Sequence, residues 1–271
     1  MNAATIIELS LPDLAGAFGL ILVAAALGRF LRSGQERDLI WSALRMVVQL
    51  LVVGYLLHLV FALDRPGPVL LLLVLMAGFA VQTVAARVRH RMPRFYTIVG
   101  TAIFFGCGAT TFLFCSLLIG LTPWYDPRYL IPLAGMVIGN SMTGASLAAE
   151  RLAGEMAERR SEIETALCLG APVRLAAETA VQGALRAALI PAINSMAAMG
   201  IVFLPGMMTG QILSGTEPIL AVRYQIAVMC VITGSVAITS FIILVLGSRS
   251  YFTPAQQLRE EAWRSSALEQ R

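Results

Sequence analysis

Long uncharged stretches alternate with short charged clusters along this chain, and the borders between them are charges or Gly/Pro turns. A helix that crosses a bilayer needs about 20 mostly apolar residues. By that measure the pattern predicts about seven spans, over 14–28, 39–63, 68–86, 95–121, 131–149, 183–204 and 224–247. The expected fold is all-α, a single polytopic membrane domain over 1–271, with a charged elbow over 150–182 and a cytoplasmic tail over 248–271. Thr253-Pro254 followed by Gln256 reads as a helix start, with Thr as N-cap and Pro in the first turn, so a short helix is expected in the tail. The stretch 205–223 is too apolar for an ordinary loop and reads either as an interfacial or as a re-entrant segment.

Composition supports the same class. The chain is 58% hydrophobic and 13% charged, against roughly 25% charged residues in soluble domains, with a mean hydropathy of +0.77. Its +4 formal charge does not imply nucleic acid, because the arginines sit in short clusters between apolar runs. All 20 basic residues are arginine, so a P-loop, which needs Gly-Lys-Ser/Thr, is excluded, and the chain is expected to hold no ATP or other cofactor itself. The four cysteines form no Cys-x-x-Cys pair, which argues against a disulfide or zinc site. Met1 to Asp13 lacks the basic n-region of a cleaved leader, so the first span is expected to remain.

Arginine placement predicts orientation. One set of connections and the tail carry Arg29, Arg32, Arg37, Arg87, Arg89, Arg91, Arg94, Arg151, Arg159, Arg160, Arg174, Arg249, Arg259, Arg264 and Arg271; the other set carries only Arg65, Arg128 and Arg223. The basic side faces the cytoplasm, which puts the N-terminus outside and the C-terminus inside. Arg45 and Arg186 fall within spans, where each is either functional or snorkels to the inner headgroups.

Two stretches carry candidate function. After the uncharged span 131–149, residues Glu150, Arg151, Glu155, Glu158, Arg159, Arg160, Glu162 and Glu164 come within one predicted helix, so it passes from lipid into water. Arg151, Glu155 and Arg159 recur every fourth residue, a ladder suited to an exposed face. Leu152, Met156, Ile163 and Leu167 form the apolar stripe beside it, and Gly170-Ala171-Pro172 ends the helix.

The second stretch lies near the midplane. Gly135 and Gly139 form a small-xxx-small pattern for close helix packing. The triplet Asn140-Ser141-Met142 recurs as Asn194-Ser195-Met196, each downstream of an Ile-Pro. At 1.5 Å per residue both asparagines lie roughly 13 to 15 Å below an outer helix end. Two readings fit: a polar translocation path that could include Gln211, or buried interhelical hydrogen bonds. Met136, Met142, Met196, Met199, Met207 and Met208 fit either a soft-metal path or ordinary gap filling. No span holds His, Asp, Glu or Cys at ligand spacing, so the metal ligands are undetermined.

Glu164-Thr165-Ala166 followed by Gly170 resembles the Glu-Ala-Ala-x-x-x-Gly loop with which ABC-transporter permeases dock on their ATPase; Thr165 departs from that pattern. The segments Ile131-Pro-Leu-Ala-Gly-Met136, Gly139-Asn-Ser-Met142, Leu169-Gly-Ala171, Arg186-Ala-Ala-Leu-Ile-Pro191, Leu204-Pro-Gly-Met-Met-Thr-Gly210 and Tyr224-Gln-Ile226 resemble the FetB (YbbM) permease family over residues 39–247. The family pattern often has Asp where this chain has Asn194. The resemblance implies the permease subunit of an ABC-type iron or metal exporter in a bacterial inner membrane, driven by ATP on a separate FetA-like ATPase. It further implies two permease copies with two ATPases, surrounded by lipid and binding no nucleic acid, and coupling through Glu164, Ala166, Leu169 and Gly170. The competing classes are an intramembrane enzyme, such as a serine protease or lipid phosphatase, and a non-ABC channel. His58 and His90 lie too near the membrane borders to serve a mid-membrane serine as base.

In a background without native cysteines, single cysteines replacing Arg91 and Ser161 should react with an impermeant thiol reagent only from the cytoplasmic side. Labelling of both from outside intact cells would reverse the orientation.

Overall fold

The computed structural model describes residues 10–259 apart from 33, 35 and 64, so most of the N-terminal stretch and the end of the tail lie outside the described residues. All long elements are α-helices, and the chain divides into two compact units. The first comprises residues 1–65 with 213–216. In it α1 (Leu11–Phe30) packs on α2 (Glu36–Leu63). The start of α1 is held by the Ser10 N–H donating to the Asp13 carboxylate at 2.9 Å, with a proline in the first turn.

The second unit comprises residues 66–212 and 217–271. Its elements are α3 (Pro66–Arg87), α4 (Phe95–Leu113) with a π-helical turn Phe114–Leu118, α5 (Pro127–Glu158), α6 (Arg160–Cys168), α7 (Val173–Ala176), α8 (Glu178–Ala198), α9 (Gly206–Leu213) and α10 (Pro218–Ser250). The 33-residue α10 lies along α4, α5 and α8, and α5 also packs against α3, α4 and α8.

Small residues let these helices meet. A Cβ at Gly144 of α5 would stand 2.7 Å from Val236 Cγ1 of α10, and one on Gly106 of α4 would overlap the Thr239 hydroxyl of α10. Hydrocarbon gives helices no hydrophobic reason to associate, so close van der Waals approach and hydrogen bonds must hold them. The Gly135 and Gly139 pattern behaves unequally. Gly135 faces Met76 of α3, 3.2 Å from where its Cβ would stand, whereas Gly139 meets nothing.

Among the described residues six helices are long and apolar enough to cross a membrane: α1, α2, α3, α4 with its π-turn, α5 and α10. The protein is an all-α polytopic membrane protein. The seventh expected span, 183–204, corresponds to α8, which ends at Ala198 and starts earlier at Glu178. Gln182, Arg186 and Asn194 on its exposed side lower its apolarity, while Ala180, Ala184, Ala188 and Ala192 form the buried stripe. The expected 224–247 span begins six residues sooner, at Pro218, so Arg223 sits within α10 rather than in a loop. The segment 205–223 contains the short helix α9, preceded by the exposed Ile201 and Val202.

The tail differs from the helix expected at Thr253. Its backbone N–H donates to the Gln257 carbonyl at 2.8 Å, Gln256 has φ 58°, and the Arg259 N–H returns to the Tyr251 carbonyl at 2.8 Å. A tight turn results because Thr253 Oγ1 accepts from Gln257 N instead of capping a helix.

Leucine at position 144 should therefore cost about 1–3 kcal/mol of overpacking, whereas leucine at position 139 should change stability by no more than about 0.5 kcal/mol. Thermal unfolding of detergent-purified variants checks this. Equal melting of the two would show that α10 does not approach α5 at Gly144.

Candidate functional site

The charged half of α5 continues the membrane helix without a break as far as Glu158. Arg151 and Arg159 both reach Glu155, at 2.6 and 2.8 Å, and Arg159 also binds Glu162 at 3.1 Å. The i,i+4 ladder forms as expected, but its centre is not exposed. Glu155 retains only 6% exposure, because its carboxylate packs over α8, where a Cβ on Gly183 would stand 3.2 Å from Glu155 Oε1. A side chain there would press on the ion pair, and the carboxylate would have to give by a few tenths of an ångström. Leu152, Met156 and Ile163 are buried, and Leu167 is partly so.

After a single-residue break at Arg159, α6 carries Glu164, which pairs with Arg160 at 2.8 Å. Gly170 then takes φ 87°, which a glycine adopts without strain. Its N–H donates to Leu167 O, and the Ala171 N–H reaches back to Ala166 O, both at 3.0 Å. This double bond pattern is a Schellman stop. It ends α6 abruptly and leaves Leu169 at the tip, 84% exposed, with Leu175 of α7 also exposed.

The basic segment between α3 and α4 is tied to the same helix. Arg89 N–H donates to Glu150 Oε2 at 2.9 Å, and the Arg91 guanidinium donates to Ala85 O and stacks over Tyr96. Tyr251 and Phe252 are buried beneath the tail turn, and burial, with the Glu150 carboxylate second, pushes the Tyr251 phenol well above its ordinary range. A cleft of about 760 Å³ separates α6 from the turn 254–258.

In the membrane half the two repeated triplets do not bond to each other. Both are tied to α10. Ser141 is fully buried and shares a hydrogen bond with Ser235 at 2.9 Å, while Met196 accepts from Thr233 Oγ1 at 3.4 Å. Asn140 is exposed, its Nδ2 donating to Met136 O, and Asn194 is exposed on α8. Met142, Ser195 and Gln211 are partly buried. Arg45 and Arg186 are both exposed.

Sequence reasoning missed the polar line of α10: Gln225, Thr233, Ser235, Thr239 and Ser240. Gln225, Ser235, Thr239 and Ser240 are buried, and Gln225 Oε1 and Ser240 Oγ lack a hydrogen-bond partner. Small polar residues recurring within the most apolar span were the available signal. Among the described residues no three His, Cys, Asp or Glu side chains gather where they could hold a metal ion.

A family model described as "Uncharacterised protein family (UPF0014)" matches residues 11–252. The chain is 39% identical to the UPF0014 membrane protein slr1647 of Synechocystis, over 93% of this chain and 98% of that protein. It is 34% identical to Protein ALUMINUM SENSITIVE 3 of Arabidopsis thaliana, over 93% and 90%. It is 31% identical to the "Probable iron export permease protein FetB" of Escherichia coli, over 91% and 93%. No solved structure matches. With its apolar helices and bacterial membrane-protein relatives, the chain is an integral protein of the bacterial inner membrane.

Proposed function

The chain belongs to the UPF0014 family, and from that premise we propose that it is the permease subunit of an ABC-type exporter of iron or another metal. ATP is hydrolysed on a separate FetA-like chain, and two permease copies share the transport path. The N-terminus lies outside and the elbow inside, as the arginine distribution directs.

The observation that carries this reading is the elbow. At the tip of a glycine-fixed stop, outside the apolar part of α5, stands a leucine that is 84% exposed. It suits insertion into an apolar groove of a partner. The relative named as a probable iron export permease supports the same direction of reading. Force arriving at α6 reaches α5 through Arg159 and Glu155, and Glu155 lies against α8.

On α8 the exposed Gln182, Arg186 and Asn194 would be costly against lipid. They suit a polar path covered by the second copy. Apart from Arg186, itself a cation, its side chains are neutral amides, hydroxyls and thioethers, so a bare divalent ion would be desolvated without a carboxylate. Metal cargo therefore passes hydrated or chelated.

Purified with its ATPase, the wild-type chain should stimulate ATP hydrolysis. Gly170→Leu forces a branched residue into the left-handed region at about 1–2 kcal/mol, and Leu169→Asp removes the apolar tip. Both variants should reach the membrane at normal levels and lose most of the stimulation. Full stimulation by both would place docking elsewhere, with the Arg87 to Arg94 segment the next site to test.

A further inference from the structure

A groove of about 240 Å³ lies among α3, α4 and α5, away from the α8 face and the elbow. Its floor is made by Cys107, Thr111 and Cys115 of α4 with Ala134 and Ile138 of α5, all buried. Its rim is made by Val74 of α3 and by Phe104 and Phe112 of α4, each more than half exposed. The opening thus faces outward between apolar side chains of membrane-spanning helices. Gly108 supplies the gap, since a Cβ there would meet nothing within 4 Å.

We infer that this groove binds one acyl chain of a bilayer phospholipid. Its chemistry excludes a polar guest, because the side-chain oxygens in the lining are those of Thr111 and Ser116 alone. At about 240 Å³ it is too small to seat a whole helix of a second copy, which is about 10–12 Å across. Its length suits an extended chain: from Cys107 to Cys115 on α4 and from Leu130 to Ile138 on α5 the lining advances eight residues, about 12 Å. Trp124, also in the lining, stands in the connection between α4 and α5, where an indole marks the level of the headgroups. The hydrocarbon tail enters beside Phe104 and Phe112 and lies on the two cysteines, with the headgroup held near Trp124.

The test uses the full chain in phosphatidylethanolamine/phosphatidylglycerol vesicles doped with a phospholipid bearing a diazirine on its acyl chain. After irradiation, adducts are mapped by mass spectrometry. The floor residues Cys107, Thr111, Cys115 and Ala134, which lipid surrounding the protein cannot reach, should carry adducts. Gly108→Phe and Ala77→Phe, which fill the groove from two helices, should lower floor labelling about tenfold, the loss expected from removing roughly two methylenes of contact. Gly78→Phe, on α3 outside the lining, should leave it unchanged. Adducts confined to exposed residues such as Phe104 and Phe105 would overturn the inference. So would a floor unlabelled in vesicles but labelled in monomeric detergent particles, which would show that a second copy covers the groove.

Discussion

The membrane half of the second unit depends on how closely α10 can approach α4 and α5. In lipid the hydrophobic effect does not draw helices together, so short range is what makes their packing favourable. Gly106 and Gly144 remove the side chains that would hold α10 off, and the Thr239 hydroxyl and Val236 Cγ1 stand at the spots they vacate. The approach also brings Ser141 to Ser235, a bond worth about 0.6 kcal/mol in measured membrane cases. That sum is modest. What the close fit secures is register, because sliding α10 by one residue would drive Val236 into the α5 backbone and strand buried hydroxyls.

Against that fixed block α8 seats largely through small residues. Ala180, Ala184, Ala188 and Ala192 make one face nearly featureless, and Gly183 admits the Glu155 carboxylate from α5. Such a contact has little interlocking side-chain relief to resist sliding, and near its start α8 abuts the Glu155 carboxylate, whose ion pairs to Arg151 and Arg159 stay within α5 and the residue after it. The same ion pair continues into the elbow through Arg159 and Glu162, the route by which the proposed docking on α6 would reach the polar face of α8.

Much of this is legible in the residues, for reasons that differ by element. The long spans follow from apolar runs that nothing but lipid explains, and the stop at Gly170 follows from a glycine after a helical stripe. The burial of Glu155 is not legible, since an i,i+4 ladder looks alike on a wet face and on one covered by α8. Only the distant Gly183 decides between them. The repeated Asn-Ser-Met triplets suggest a mutual contact because repeats invite pairing, but each helix turns its Ser or Met to α10 instead. The tail departs from its expected helix because Thr-Pro with a following Gln fits both a helix start and a turn. The buried Tyr251 and Phe252, which anchor the chain just before Thr253, favour the turn.

On the proposed reading the exposed face of α8, together with Asn140, meets water along a transport path rather than lipid. The most direct measurement is aqueous reactivity of Asn194→Cys and Asn140→Cys in a cysteine-free chain reconstituted with its ATPase, with Phe112→Cys as the lipid-facing reference. A charged, impermeant thiol reagent should modify both pathway cysteines far faster than the reference, at rates that change when ATP is bound. Reaction of all three with a lipid-soluble reagent alone, in every nucleotide state, would contradict it.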